Sequence, residues 1–196
     1  AIASLPADAR VVADRLFTVS TTTGRLEPPP QMSAWITKLF GSVEAVRTQR
    51  IVRVTNNITL EGALFNDLRA MRPMEVKGAD EVRAIIASSA NDPFDTPLEG
   101  TPADTFGRIT GEYGITASNV AKYDGYHGVL VFKEHDPLAP VDAAVMRDHL
   151  DTARRWGEAA LTDDPAARYL FVMWNCLWRA GGSIVHTAVI ALGGNN

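Results

Sequence analysis

The residues able to do chemistry fall in four short stretches. Gly181-Gly182-Ser183 runs into the β-like stretch "IVHTAVIAL", which carries His186 and, two residues on, Ala188. Glycine lets backbone N–H groups approach a phosphate closely, because no side chain stands in the way. On strand spacing Ile184, His186, Ala188 and Ile190 share one face. Taken by itself, a single histidine on a strand reads as a hydrogen-bonded structural residue. In "LRAMRP", Arg69 and Arg72 stand three apart ahead of Pro73. Two guanidinium groups can grip phosphate oxygens bidentately; the plainer reading is a solvated basic pair. In "NDPFDTP", Asp92 and Asp95 offer carboxylates to a hard cation or, the favoured reading, nucleate turns. In "SNVAKYDGYHG", Asn119, Lys122 and His127 surround a hairpin, where each reaches a ligand or serves the turn. His135 precedes Asp136-Pro137 and reads as a loop residue; His149 reads as a surface residue of a helix.

These groups need elements to position them. "LPADARVVADRLF" has helical spacing of Val11, Val12, Leu16 and Phe17. "GRLEPPPQ" breaks the chain, since consecutive prolines continue no element. "MSAWITKLFGSVEAV" predicts a second helix with Ser33 as its cap. "RIVRVTNN" and "ITLEGALF" predict two strands paired across Asn56-Asn57, and "EVRAIIAS" a further strand. "NDPFDTPLEGTPADTFG" is loop. "GITASNVAKYDGYHGVLVFKEHDP" predicts two strands around a turn at Asp124-Gly125. From Pro140 to Thr162, Val145, Met146, Leu150, Ala153, Trp156 and Ala160 form a helical stripe. "RYLFVMWN" and "SIVHTAVIAL" complete the strands. Helices and antiparallel-looking strands are grouped rather than alternating, which predicts an α+β fold with one sheet covered by helices.

Composition bounds the partners. The chain has 196 residues, of which 46% are hydrophobic, enough to bury a core within one domain. The net charge of -4 argues against the clustered Lys and Arg of a nucleic-acid surface. Cys176 is the single cysteine, so no intrachain disulfide forms, which fits a reducing compartment. No apolar run approaches the roughly 20 residues that span a bilayer, and "AIASLPADAR" lacks the order of a signal peptide. A cytoplasmic protein with neither nucleic-acid nor membrane partners is expected.

The landmarks together are more specific than each alone. From about Phe65 to Leu192 the chain resembles the galactose-1-phosphate uridylyltransferase family and, through it, the diadenosine tetraphosphate phosphorylases of the histidine-triad superfamily. "LRAMRP" resembles the family's Arg-x-x-Arg-Pro. "DPFDTPLEGTP" is similar to its Cys-Pro-x-Cys stretch, with Asp92 and Asp95 in place of both cysteines. "ASNVAKYDGYHGVLVFKEH" is similar to its Asn-Lys-(Phe/Tyr)-Pro…His/Gly strand pair. "YLFVMWNCLWRAGGSIVHTAVI" resembles its Phe-x-Asn…Gly-Ala-Ser-x-x-His-x-His-x-Gln segment.

The resemblance implies a histidine-triad-like fold over 49–196, with 1–48 as a helical extension packed on that core. It also implies a mechanism in which the second histidine of His-x-His attacks a nucleotide's α-phosphorus, forming a nucleotidyl-histidine that an acceptor then relieves. Carried over residue by residue, His186 takes the first histidine position, a supporting and phosphate-contacting role. Gly181, Gly182 and Ser183 match the turn that places amides near phosphate, Asn175 the strand asparagine, Arg69 and Arg72 the phosphate-contacting arginines, and Asn119 and Lys122 the strand-pair positions. Ala188 falls where the nucleophile belongs and Ile190 where Gln or His is usual. A methyl group cannot attack phosphorus, and loss of such a nucleophile costs orders of magnitude in rate. The alanine is either the chain's own divergence or an engineered replacement. Two aspartates replace zinc thiolates poorly, so no metal ligand is assigned.

The expected function is therefore that of a nucleotidyltransferase-like or nucleotide phosphorylase-like protein, binding a nucleotide or sugar nucleotide through its phosphates without the family nucleophile. A divalent cation accompanying the nucleotide is compatible with that chemistry, and a homodimer is the expected assembly. The alternatives are a non-catalytic nucleotide-binding or regulatory protein, and a diverged enzyme using His186 as general acid or base.

Overall fold

A computed structural model describes residues 4–71, 82–175 and 188–195. It is a mixed α+β structure with two antiparallel sheets. Helix α1 (Ala7–Leu16) leads directly into β1 (Phe17–Arg25), which pairs along its whole length with β2 (Thr48–Asn56), from Phe17 opposite Asn56 to Arg25 opposite Thr48. Strand β3 (Gly62–Phe65) completes a three-stranded sheet in the order β1-β2-β3. β2 and β3 pair as expected, but across a longer connection than Asn56-Asn57: residues 58–61, expected in the second strand, belong to the turn, where the Asn56 side-chain oxygen accepts from the Ile58 N–H at 2.9 Å. The segment before residue 49 is thus not helical alone. Its "FTVSTTTGR" is β-branched in five of nine positions, a composition that suits a pleated, half-exposed surface.

Between β1 and β2 lie α2 (Ser33–Phe40) and α3 (Val43–Arg47), two helices where the spacing predicted one. Gly41, at φ +83°, ends α2 in a conformation that only glycine adopts freely, and the Ser42 hydroxyl then caps α3 by accepting from the Ala45 N–H at 3.0 Å. Ser33 is the first residue of α2, not its cap; Met32 holds the cap position. The buried faces of this segment (Leu26, Met32, Ile36, Phe40, Val46) share a cluster with Leu68 and Ala121, so residues on both sides of position 48 build one core.

The second sheet is four-stranded, in the order β4-β5-β7-β6, from β4 (Gly114–Ser118), β5 (Tyr126–Phe132), β6 (Ala167–Asn175) and β7 (Ala188–Asn195). Helix α7 (Ala143–Asp163) covers one face. It starts where the Asp142 carboxylate accepts from the Ala144 and Val145 N–H groups and ends ahead of Pro165. Its buried stripe is His149, Thr152, Ala153, Trp156 and Ala160. Leu150, expected on that stripe, is exposed. His149, expected at the surface, is 3% exposed and stacks on Phe132 with ring centroids 3.7 Å apart. Burial pushes its imidazolium below the ordinary 6.5. Trp156 is completely buried over Gly128, where any Cβ would stand 2.6–2.8 Å from the indole.

Between the sheets are three short helices: α4 (Asp67–Ala70), α5 (Val82–Ser88) and α6 (Pro97–Gly100). α5 corrects the strand expected for "EVRAIIAS": Ile86 is its buried residue, and Val82, Ile85 and Ile86 fall at helical spacing. Backbone pairing of Glu27 with Ala103, and of the Ser118 N–H with the Pro102 carbonyl, ties the helical segment to the second sheet. Among the described residues no helix is long and apolar enough to cross a membrane.

Candidate functional site

A cavity of about 530 Å³ lies where α2 meets the face of the second sheet opposite α7. Trp35 and Phe40 form one wall, their rings edge to face at 5.7 Å; Pro93 and Phe94 form another. Ala117 and Val129 floor it. Gln31, Glu99, Thr101 and Asn119 bring polar groups to a mostly apolar hollow. Trp35 remains 46% exposed, so one aromatic face is available for stacking. A mostly apolar cleft with few polar groups fits a planar heteroaromatic ligand.

The loop that carries Asn119 is held from beneath by a buried polar network. Gln49, 2% exposed, donates to the Val46 and Val120 carbonyls at 2.8 and 2.7 Å, and its Oε1 accepts from the Lys122 N–H and from Asn66 Nδ2. Arg69 donates to the Ala121 carbonyl at 2.9 Å and lies 3.4 Å over the Tyr123 ring. Tyr123 in turn stacks on His127 and donates its N–H to His127 Nδ1 at 3.0 Å. Lys122 is wholly buried. Its Nζ reaches Ser118 Oγ at 2.6 Å and Asp104 Oδ1 at 3.4 Å, and the other oxygen of Asp104 accepts from Trp156 Nε1 at 2.7 Å. Burial pushes the Lys122 ammonium down from the ordinary lysine value, against the pull of Asp104.

Three residues singled out from sequence therefore come together, in different roles. The Asn119 side-chain oxygen accepts from the Ala121 N–H at 3.1 Å; among the described residues no hydrogen bond engages its Nδ2. Arg69 and Lys122, expected to contact phosphate, hold the loop instead: one is spread on Tyr123 and the other is sealed in the core. Asp92 and Asp95 make the turn favoured for them. Asp95 Oδ2 accepts from the Asn91 and Asp92 N–H groups, and Asp92 Oδ1 accepts from the Phe94 N–H. Asp95 also reaches His135 Nδ1 at 3.0 Å. This turn presents Phe94 to the cleft.

Ala188 begins β7, with Val131 of β5 on one side and Asn175 of β6 on the other. Residues directly opposite in an antiparallel pair occupy the same face. Val129 and Val131 cluster with Ala117 and Phe94 on the cleft side, and in the β5–β7 ladder they pair with positions 190 and 188. Arg72, Gly181, Gly182, Ser183 and His186 lie outside the described residues.

The sequence reading placed Trp156 on a helical stripe but gave no role at the site to Gln49, Asn66, Asp104, Trp35 or Phe94. Of these, Phe94 alone sat inside a stretch already singled out; the others carry no local motif. In comparisons with known proteins, neither a family model nor a curated protein matches this chain.

Proposed function

We propose that this chain binds a nucleotide, with the base in the cleft between Trp35 and Phe94, the sugar edge beside Asn119, and the phosphates directed along the sheet face toward position 188. The proposal joins the histidine-triad-like reading of the sequence to the cleft through the pairing of β5 with β7. The observation that carries the proposal is the strand register: position 188, where the motifs expect a nucleophile, stands opposite Val131, two residues along β5 from the cleft floor at Val129. In this reading the chain is a nucleotidyltransferase-like or phosphorylase-like protein that retains a binding face and lacks the attacking imidazole. Binding without turnover is favoured over the use of His186 as an acid or base, because Ala188 stands where the resemblance expects the nucleophile and Ile190 where it expects Gln or His.

Phosphate contact in this reading belongs to Gly181, Gly182, Ser183, His186 and Arg72, with Arg69 and Lys122 as supports of the Asn119 loop. Installing the missing group tests it. Ala188→His, incubated with nucleoside triphosphates, sugar nucleotides and dinucleoside polyphosphates, is expected to gain the mass of one nucleotidyl group by intact mass spectrometry, and the unaltered chain is not. An Ala188→His protein that is folded yet forms no adduct with any of these would count against the assignment.

A further inference from the structure

We propose that Ser89, His135 and Asp95 form a second reactive site, a serine nucleophile with its base and orienting carboxylate, that hydrolyses neutral esters. The three come from separate parts of the chain. Ser89 follows α5, Asp95 lies in the turn ahead of α6, and His135 lies just beyond the end of β5. His135 Nδ1 is 3.0 Å from Asp95 Oδ1, and His135 Nε2 is 3.0 Å from Ser89 Oγ. A nucleophile in hydrogen-bond reach of a base, and that base in reach of an orienting group, is the signature of an activated hydroxyl. It is recognised by geometry and not by sequence order. The side chains of His135 and Asp95 are 27% and 29% exposed, so a substrate can reach them.

The carboxylate fixes which nitrogen is the base. An ionised Asp95 only accepts, so Nδ1 carries the ring proton and Nε2 turns its lone pair to Ser89. Asp95 is itself held: its second oxygen accepts from the Asn91 and Asp92 N–H groups at 2.7 and 3.1 Å. Asn91 stands at φ +71°, a left-handed conformation of the kind that clusters at active sites. Ser89 Oγ also lies 2.7 Å from the Ile86 carbonyl oxygen, and rotation of the hydroxyl alone moves its proton from that acceptor to Nε2. Because the carbonyl competes for the proton, the nucleophile is a modest one, suited to esters rather than amides. In the first step Oγ bonds to the acyl carbon and its proton passes to Nε2. The ester C–O bond then breaks as the leaving alkoxide takes that proton. Water attacks the acyl-serine, its proton passes through Nε2 back to Oγ, and the carboxylic acid leaves. Asp92 shares the Asp95 turn, and Glu134 and Asp136 flank His135, while Arg83 is committed to Asp136. Negative charge around the site disfavours anionic substrates and leaves neutral ones.

A fluorophosphonate probe and p-nitrophenyl acetate test this on the full chain, each variant first matched to it by far-ultraviolet circular dichroism. Peptide mass mapping should place one phosphonyl adduct on Ser89, and Ser89→Ala should lose both the adduct and the ester hydrolysis. His135→Gln should slow both by about 100-fold or more, the usual contribution of a general base. Asp95→Asn should lower kcat for the ester by about tenfold or more and leave KM unchanged, as expected of a residue that positions the base. Ser88→Ala removes a neighbouring hydroxyl that donates to the Ile85 carbonyl, and should behave as the unaltered chain. The proposal is overturned by the absence of an adduct on Ser89, by an adduct that forms at the same rate in His135→Gln, or by hydrolysis that survives Ser89→Ala.

Discussion

Lys122 is wholly buried, its ammonium group shielded from bulk solvent. Three oxygens substitute for water: Ser118 Oγ at 2.6 Å, Asp104 Oδ1 at 3.4 Å and the His127 carbonyl at 3.5 Å. Asp104 needs the lysine as much as the reverse, since its remaining hydrogen bond comes from Trp156 Nε1. Removing one member of a buried pair leaves the other charge uncompensated, which typically costs about 3–5 kcal/mol. Lys122→Met, which keeps the length and loses the charge, should lower unfolding stability in urea by that amount, and adding Asp104→Asn should restore part of it. An exposed, phosphate-facing lysine would show almost no stability change. The sequence could not separate these outcomes. "SNVAKYDG" reads as a polar turn, and Lys122 is buried only because Asp104, 18 residues earlier, and Trp156, in a distant helix, close over it. Asn119 was legible because its role is local: a short polar side chain bonding its own loop.

Helix α7 and the strand beneath it make one packing unit. The indole of Trp156 lies on Gly128 so closely that a methyl group there would overlap three ring atoms. Overpacking of this kind costs about 1–3 kcal/mol. Gly128→Ala should therefore lower the urea midpoint accordingly and change near-ultraviolet circular dichroism through the displaced tryptophan; an unchanged midpoint would mean that α7 does not press on β5 as described. The stripe that buries α7 was readable from Ala153, Trp156 and Ala160. His149 lies on the same stripe, four residues before Ala153, and was assigned to the surface on residue type where spacing was the better guide. The opposite error occurred at 82–88. There the β-branched Val82, Ile85 and Ile86 suggested a strand, yet their i, i+3, i+4 spacing is that of a helix face. Gly41 split a predicted helix in two because a residue at positive φ stops a helix whatever the periodicity around it.

The described residues form two antiparallel sheets joined through the segment from Leu26 to Val46, and the cleft arises where that segment folds back over the second sheet. Trp35 comes from one part of the chain, Phe94 from another and Val129 from a third, which is why no stretch of sequence announced the pocket. The α+β class was readable from pattern alone; the division of the strands into two sheets where one was expected, and their order, were not, and neither was the wall supplied by α2, because nothing in "MSAWITKLF" names the surface it packs against. The central claim is that this assembled hollow holds a nucleotide. Calorimetric titration of the unaltered chain and of Trp35→Ala with ATP, UTP, UDP-glucose and diadenosine tetraphosphate tests it most directly. One nucleotide class should bind at one per chain, and Trp35→Ala, which removes a half-exposed ring and spares the core, should weaken that binding about tenfold or more, the usual worth of a base stacked on an aromatic side chain. No heat of binding with any of the four, or binding that is indifferent to Trp35→Ala, would contradict it.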